Sequence, residues 1–422
     1  MTALDSDRVA ARVRAATLAD QLADRLAVPP PVEPCGDRSP SSPRWLDQSL
    51  AQGAAGVAVL HGVRAHAGRG GWERAHAWLT RATREGLSAG PGAGLWFGAP
   101  AVAFAVDTAA QPGRYERART LLDVTVQRLI RARLKQADAR MTAGTFTSRA
   151  EFDVVHGLTG LGAHMLRRDP NGDLIRAILT YLVRLTQPLP ARGHAAVTVP
   201  GWWTGDVPSR QPHAFAGGHA DLGMAHGIAG PLALLALSMR QGITVDGHAD
   251  ALDRICQWLD TWRSHGPSGA WWPERIGFAD LAGGRPAQPG PVRASWCYGT
   301  PGIARAQQLA GQALGDPARQ EMAEEALAGC LEGAQLAQLT DPAVCHGWAG
   351  MIITVWRAAA DARSPRLAAR LPHLLDTITG HAFPDPADAG SGLIEGIAGI
   401  ALTLHTVATG TSGGWETCLL LT

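Results

Sequence analysis

The chain has 422 residues, 46% of them apolar, and a formal net charge of +1. That balance offers no electrostatic footprint for nucleic acid or an anionic membrane surface. The length suffices for one large core or two ordinary ones.

Residues 1–26, MTALDSDRVAARVRAATLADQLADRL, carry acidic residues and no apolar run, so they do not read as a signal peptide. They read as an amphipathic helix, followed by a linker to residue 44. The longest apolar stretch, IAGPLALLALSM (228–239), is too short to span a bilayer, so no membrane insertion is expected and the protein reads as cytoplasmic. Six widely spaced cysteines without a secretion signal argue against a disulfide framework and for metal or catalytic use.

From residue 50 onward a Gly-x-x-Gly pair recurs. It stands at Gly53/Gly56, Gly157/Gly160, Gly227/Gly230, Gly299/Gly302, Gly347/Gly350 and Gly396/Gly399, with a weaker copy at Gly98 and Ala101. The last three first-glycines are 48 and 49 residues apart, a period typical of helical-hairpin repeats. Each copy runs into roughly ten apolar or small residues, as in GMIITVWRAAA, consistent with a buried helix. Between copies lie amphipathic segments with start signals, Asp316-Pro317 and Ser364-Pro365 among them. Seven hairpins predict about fourteen helices: an all-α toroid, apolar inner helices within an amphipathic outer ring, forming a single domain over 1–422. The glycines themselves read as architecture, letting inner helices start sharply and pack closely. Two long inter-copy segments, 195–223 and 269–294, are rich in Pro, Gly and Trp. They read as loops over one face, of the kind that usually covers a site or is disordered.

The residue before each first glycine is, in chain order, Gln52, Phe97, His156, His226, Tyr298, His346 and Glu395. One place earlier stand Ala51, Trp96, Val155, Ala225, Cys297, Cys345 and Ile394. In a closed ring these slots crowd one mouth. Cys345 and His346 precede an inner helix, so both side chains are able to turn toward one point, and Cys297 holds the slot of Cys345 one repeat earlier. Two thiolates and one imidazole suit Zn²⁺, with a fourth position open as in catalytic sites. The plainer reading of any one cysteine is a small buried hydrophobe. That reading is preferred for Cys256 and Cys330, which fall in outer helices; Cys35 and Cys418 receive no role.

The motifs SWCYGTPG, VCHGWAG, GMAHGIAG and LIEGIAG resemble those of the lanthipeptide cyclases, the LanC family. The resemblance covers roughly residues 45–410. It implies an α/α toroid with Zn²⁺ held by Cys297, Cys345 and His346. It also implies the reaction: cysteine thiols of a dehydrated precursor peptide add to dehydroalanine or dehydrobutyrine, giving thioether rings. On the same resemblance, His226 matches the family's catalytic histidine and Asp153 the aspartate that holds it, while Arg293 and Tyr298 match positions expected at the enolate or substrate. Each also has a structural reading: a buried hydrogen-bonded histidine for His226, a helix cap for Asp153, a loop ion pair for Arg293, a packed ring for Tyr298. His156 and His219 read as bystanders. With fewer than fifty residues before the first copy, a stand-alone cyclase served by a separate dehydratase is expected. Two alternatives remain: a LanC-like protein adding glutathione to dehydrated residues, and a zinc-stabilised scaffold that only binds a peptide.

Overall fold

The structure, a computed structural model, describes residues 3–31, 46–191, 197–208, 213–383 and 390–422. The later part of the expected 1–44 linker, parts of the 195–223 loop and Cys35 lie outside the described residues. Fourteen described helices exceed nine residues. In chain order they are α1 (Ala3–Arg25), α2 (Ala54–His66), α3 (Trp72–Ala82), α4 (Ala99–Thr108), α5 (Glu116–Thr142), α6 (Leu158–Arg168), α7 (Asp173–Leu185), α8 (Ala229–Arg240), α9 (His248–Thr261), α10 (Thr300–Leu314), α11 (Pro317–Gly329), α12 (Trp348–Asp361), α13 (Arg366–Thr379) and α14 (Ile397–Thr409). Among these residues no helix is long and apolar enough to cross a membrane.

The even-numbered helices are the seven that follow the glycine copies. They are buried almost all round: in α14, Ile397, Ile400, Leu402, Leu404 and Val407 are all inaccessible or nearly so. Burying each such side chain contributes roughly 1.5–3 kcal/mol. The odd-numbered helices bury one stripe only, as α7 does with Ile175, Ile178, Leu179 and Leu182. The start signal at Asp316 is realised, its carboxylate accepting the Arg319 N–H at 3.0 Å. Helix α13 starts one residue beyond Pro365 and has no side-chain cap.

The chain folds into two compact units. One holds residues 1–129, 340–360 and 365–416; the other holds 130–339, 361–364 and 417–422. In the first unit α1 packs along α14 and α13, so the N-terminal helix is the outer partner of the last inner helix. Its alanines at 11, 15, 19 and 23 are buried at a four-residue spacing, which permits close approach. Trp78 Nε1 donates to the Leu26 carbonyl just beyond α1 at 2.8 Å, and Arg14 pairs with Asp376 at 2.5 Å.

The glycines serve close backbone approach. A Cβ at Gly302 would fall on the Trp296 carbonyl oxygen, one at Gly350 on that of Val344, and one at Gly399 on that of Leu393. In these copies the loop before the inner helix curls over that helix's first turn and lays a carbonyl on the second glycine. These loops are then stitched side by side. In the second unit Val154 N–H donates to Ala225 O (3.0 Å), and Ala225 N–H to Cys297 O (3.1 Å). In the first unit Cys345 N–H donates to Ile394 O (2.9 Å), Ile394 N–H to Ala51 O (3.0 Å), and Leu50 N–H to Trp96 O (3.1 Å). The seventh copy is thereby bonded directly to the first.

Candidate functional site

The second unit gathers most of the chemistry. Its loops at 153–157, 221–227 and 295–299 lie in one hydrogen-bonded row, so matched slots become neighbours. Asp153 ends a short helical turn, Arg149–Phe152, and is fully buried. Its Oδ1 accepts the N–H groups of His156 (2.6 Å) and Gly157 (2.9 Å), which caps the start of α6. Its Oδ2 accepts from His226 Nδ1 at 2.6 Å and lies 3.3 Å from His156 Nδ1. Burial alone would push this carboxyl up; the hydrogen bonds and charge of the two histidines outweigh it and hold the pKa at about 2. Asp153 is therefore an anion throughout the working pH range. It is both a helix cap and the group that orients His226. His156, expected as a bystander, shares the same oxygen and stacks on the His226 ring, centroids 5.8 Å apart.

Tyr298 also lies beside His226, ring centroids 6.0 Å apart. Its neighbours include residues that nothing in the sequence singles out. The Arg275 guanidinium sits over the phenol ring, 5.1 Å from its centroid, and its Nε lies 2.9 Å from fully buried Asp221. Arg149 Nε lies 3.7 Å from the same carboxylate. Among the described residues no donor reaches the Tyr298 hydroxyl in good alignment, and the two guanidinium groups are the cations beside it. Burial first, then the Asp221 charge, push the phenol pKa well above its ordinary value against both arginines, so the hydroxyl stays a proton donor. Both guanidinium groups interact with its oxygen, which leaves the O–H proton to be donated. His219, also expected as a bystander, is buried with Nε2 3.2 Å from Asp221. Arg293 is exposed, and its charge acts on Glu274.

The two insertions come together here. Strand β1 (His219–Asp221) pairs antiparallel with β2 (Arg275–Gly277), which brings Asp221 opposite Arg275. Their four tryptophans are buried supports rather than a peptide-facing surface. Trp272 Nε1 donates to the Leu259 carbonyl at 2.9 Å, Trp202 meets Trp258 edge-on, and Trp203 packs on Phe278. A cavity of about 720 Å³ between the insertions is lined by Phe215, Glu274, Arg275 and Val292 among others.

Cys297 is nearly buried beside Tyr298, with Ser295 Oγ 3.6 Å from its sulfur. Trp296 anchors its loop by donating Nε1–H to Leu419 O at 3.0 Å. In the first unit Cys345 and His346 are half-buried, and His346 Nε2 lies 3.0 Å from an Asp341 carboxylate oxygen. A carboxylate on one imidazole nitrogen is the usual outer support of a metal-bound histidine. Cys297 of one unit and Cys345 and His346 of the other supply two thiols and an imidazole, a combination of donors that could bind a metal ion. Cys256 and Cys330 are buried in or beside outer helices, and burial pushes both thiols up to about 12, so they remain inert.

Residues 44–420 match the family model of lanthionine synthetase C-like proteins. The chain is 21% identical over 270 residues to the nisin biosynthesis protein NisC of Lactococcus lactis subsp. lactis, a match spanning 60% of each chain. Its fold is similar to the solved structure of a nisin cyclase, with a TM-score of 0.76 and 18% identity over 89% of this chain and 93% of the other. That likeness shows the fold, an all-α α/α toroid, and the fourteen long helices agree with the repeat count. The chain belongs to the lanthionine synthetase C-like family.

Proposed function

We propose that the protein is a lanthipeptide cyclase. It adds cysteine thiols of a dehydrated precursor peptide to dehydroalanine or dehydrobutyrine, forming lanthionine or methyllanthionine rings, after a separate dehydratase has made the acceptors. The observation that carries this reading is the Asp153–His226 pair beside Tyr298, on a loop hydrogen-bonded to the loop of Cys297.

Cys297, Cys345 and His346 would hold Zn²⁺, and Asp341 on His346 Nε2 would support the imidazole. Bound zinc would supply acidity, turning a substrate thiol (pKa near 8.5) into its thiolate at neutral pH. The chain's own groups serve the rest of the reaction. As the C–S bond forms at Cβ, the C=C electron pair moves onto the neighbouring carbonyl as an enolate. The Tyr298 hydroxyl donates a hydrogen bond to that oxygen, and Arg275 and Arg149 keep the surroundings positive. His226, steadied by the Asp153 anion, delivers the proton to Cα and is reprotonated from solvent or from the thiol proton. Arg293, on the exposed rim, would contact the peptide.

The test is direct. A dehydrated, cysteine-containing precursor peptide is incubated with and without the purified protein, then alkylated and weighed. Loss of alkylatable thiols at unchanged peptide mass supports the reading. Mass gain by glutathione, when that is supplied, would favour the glutathione-adding alternative. No change in either arm would leave only a binding scaffold.

A further inference from the structure

The Asp153 carboxylate is shared by two imidazoles, and the sharing has the dimensions of a metal site. The ligand atoms of Asp153, His156 and His226 all lie within 4.8 Å of one another. Oδ2 is 2.6 Å from His226 Nδ1 and 3.3 Å from His156 Nδ1. Nitrogen and oxygen ligands about 2.0–2.2 Å from one tetrahedral ion stand roughly 3.4 Å apart. The His156 separation matches that value, and the His226 nitrogen, now at hydrogen-bond distance, moves outward when an ion replaces the proton.

We infer that Asp153, His156 and His226 form a second divalent-metal site, distinct from the Cys297/Cys345/His346 donor set and suited to a first-row transition ion such as Zn²⁺. Two imidazoles and a carboxylate are a borderline donor set that accepts Zn²⁺, Co²⁺ or Ni²⁺. The carboxylate is held in place by two backbone N–H groups on its other oxygen, so ligation asks only that the two imidazoles turn Nδ1 from Oδ2 toward the ion. The His156 side chain is 53% exposed and gives the ion an entry path. Binding displaces the protons that the two Nδ1 atoms otherwise present to Oδ2. One group opposes the ion: the Arg133 guanidinium, bonded to the His156 carbonyl, lies close enough to act on Asp153. The site is therefore weaker than one built from two thiolates and an imidazole. An ion there would occupy His226 and inhibit any proton transfer by it, a consequence that rests on the proposed function; the binding itself does not.

The experiment is a Co²⁺ titration of the purified full chain followed by visible absorption, with metal content measured after buffer exchange. The expected result is two classes of equivalent. The tighter one carries thiolate-to-cobalt charge-transfer bands, and the weaker one adds only d–d absorption. His156→Ala, a change at a half-exposed side chain, should weaken the second class at least tenfold and leave the first intact; His156→Asn should do the same. If the wild-type protein takes up no equivalent beyond the thiolate-bearing one, or if the second persists unchanged in both variants, the inference is overturned. Neither result depends on whether the protein cyclises a peptide.

Discussion

His226 Nδ1 lies 2.6 Å from Asp153 Oδ2 across 73 residues of sequence. The contact exists because two repeats place matched loops side by side, joined by the Val154–Ala225 backbone bond. Replacing Asp153 by Asn keeps the shape but removes the anion and frees the tautomer. Asp153→Asn should slow cyclisation by roughly 10²–10⁴-fold, the span typical of losing acid–base assistance, with the zinc of the Cys297/Cys345/His346 set unchanged. Steady-state rates beside metal analysis check this; an unimpaired rate would make Asp153 a helix cap only.

Two arginines can be told apart. Arg275 touches Tyr298 and Asp221, whereas Arg293 is exposed. Tyr298→Phe should cost about 10²–10³-fold in kcat, the usual loss for one donor to a developing oxyanion. Arg275→Ala should lower kcat by a smaller factor, and Arg293→Ala should act mainly on KM. Adding free guanidinium to Arg275→Ala should restore part of its rate. A kcat loss on Arg293→Ala that exceeds that of Arg275→Ala would reverse the assignment.

The glycine copies make a stability prediction. Gly302→Ala drives a Cβ into the Trp296 carbonyl and Met224, whereas Gly283→Ala meets nothing within 4 Å. Overpacking of this kind typically costs 1–3 kcal/mol or more. Urea midpoints should fall sharply for Gly302→Ala and stay near wild type for Gly283→Ala. Equal midpoints would remove the close-approach explanation of the repeat.

Stability should also fall in mild acid. Burial first, then nearby arginines, lower the pKa of His61 and of His405 from 6.5 to about 4. The folded state binds fewer protons than the unfolded chain across this interval. The stability these groups contribute is present above pH 6.5 and is lost as pH falls toward 4, on the order of 3 kcal/mol per group at most. Denaturation midpoints between pH 7 and 4 measure it. His61→Gln and His405→Gln should flatten the slope, and an unchanged slope in both would place the acid sensitivity elsewhere.

The repeat and the seven inner helices were legible in the sequence because backbone approach permits only glycine and so stamps a period on the chain. The place of α1 was less so. Its alanines at 11, 15, 19 and 23 carry the contact stripe, but small residues give a weak amphipathic signal. Asp221 and Arg275 were not legible: they meet through a three-residue strand pair 54 residues apart, too short for any periodicity. His156 shares a motif with Asp153, yet only the turn at 153–157 shows that its ring reaches the same carboxylate oxygen as His226. The insertion tryptophans misled in the other direction, because aromatic-rich loops suggest a binding surface and these rings are buried supports.

The most direct measurement compares His226→Asn with the wild-type protein on a dehydrated precursor peptide, at matched zinc content, reading ring pattern and rate together. A fall of roughly 10²–10⁴-fold in the rate of native ring formation is expected, as for loss of a general acid, with folding and the thiolate-bound zinc unchanged. Residual uncatalysed addition would show wrong partners or mixed stereochemistry. The native ring pattern formed at the native rate would make His226 a structural histidine and contradict the account.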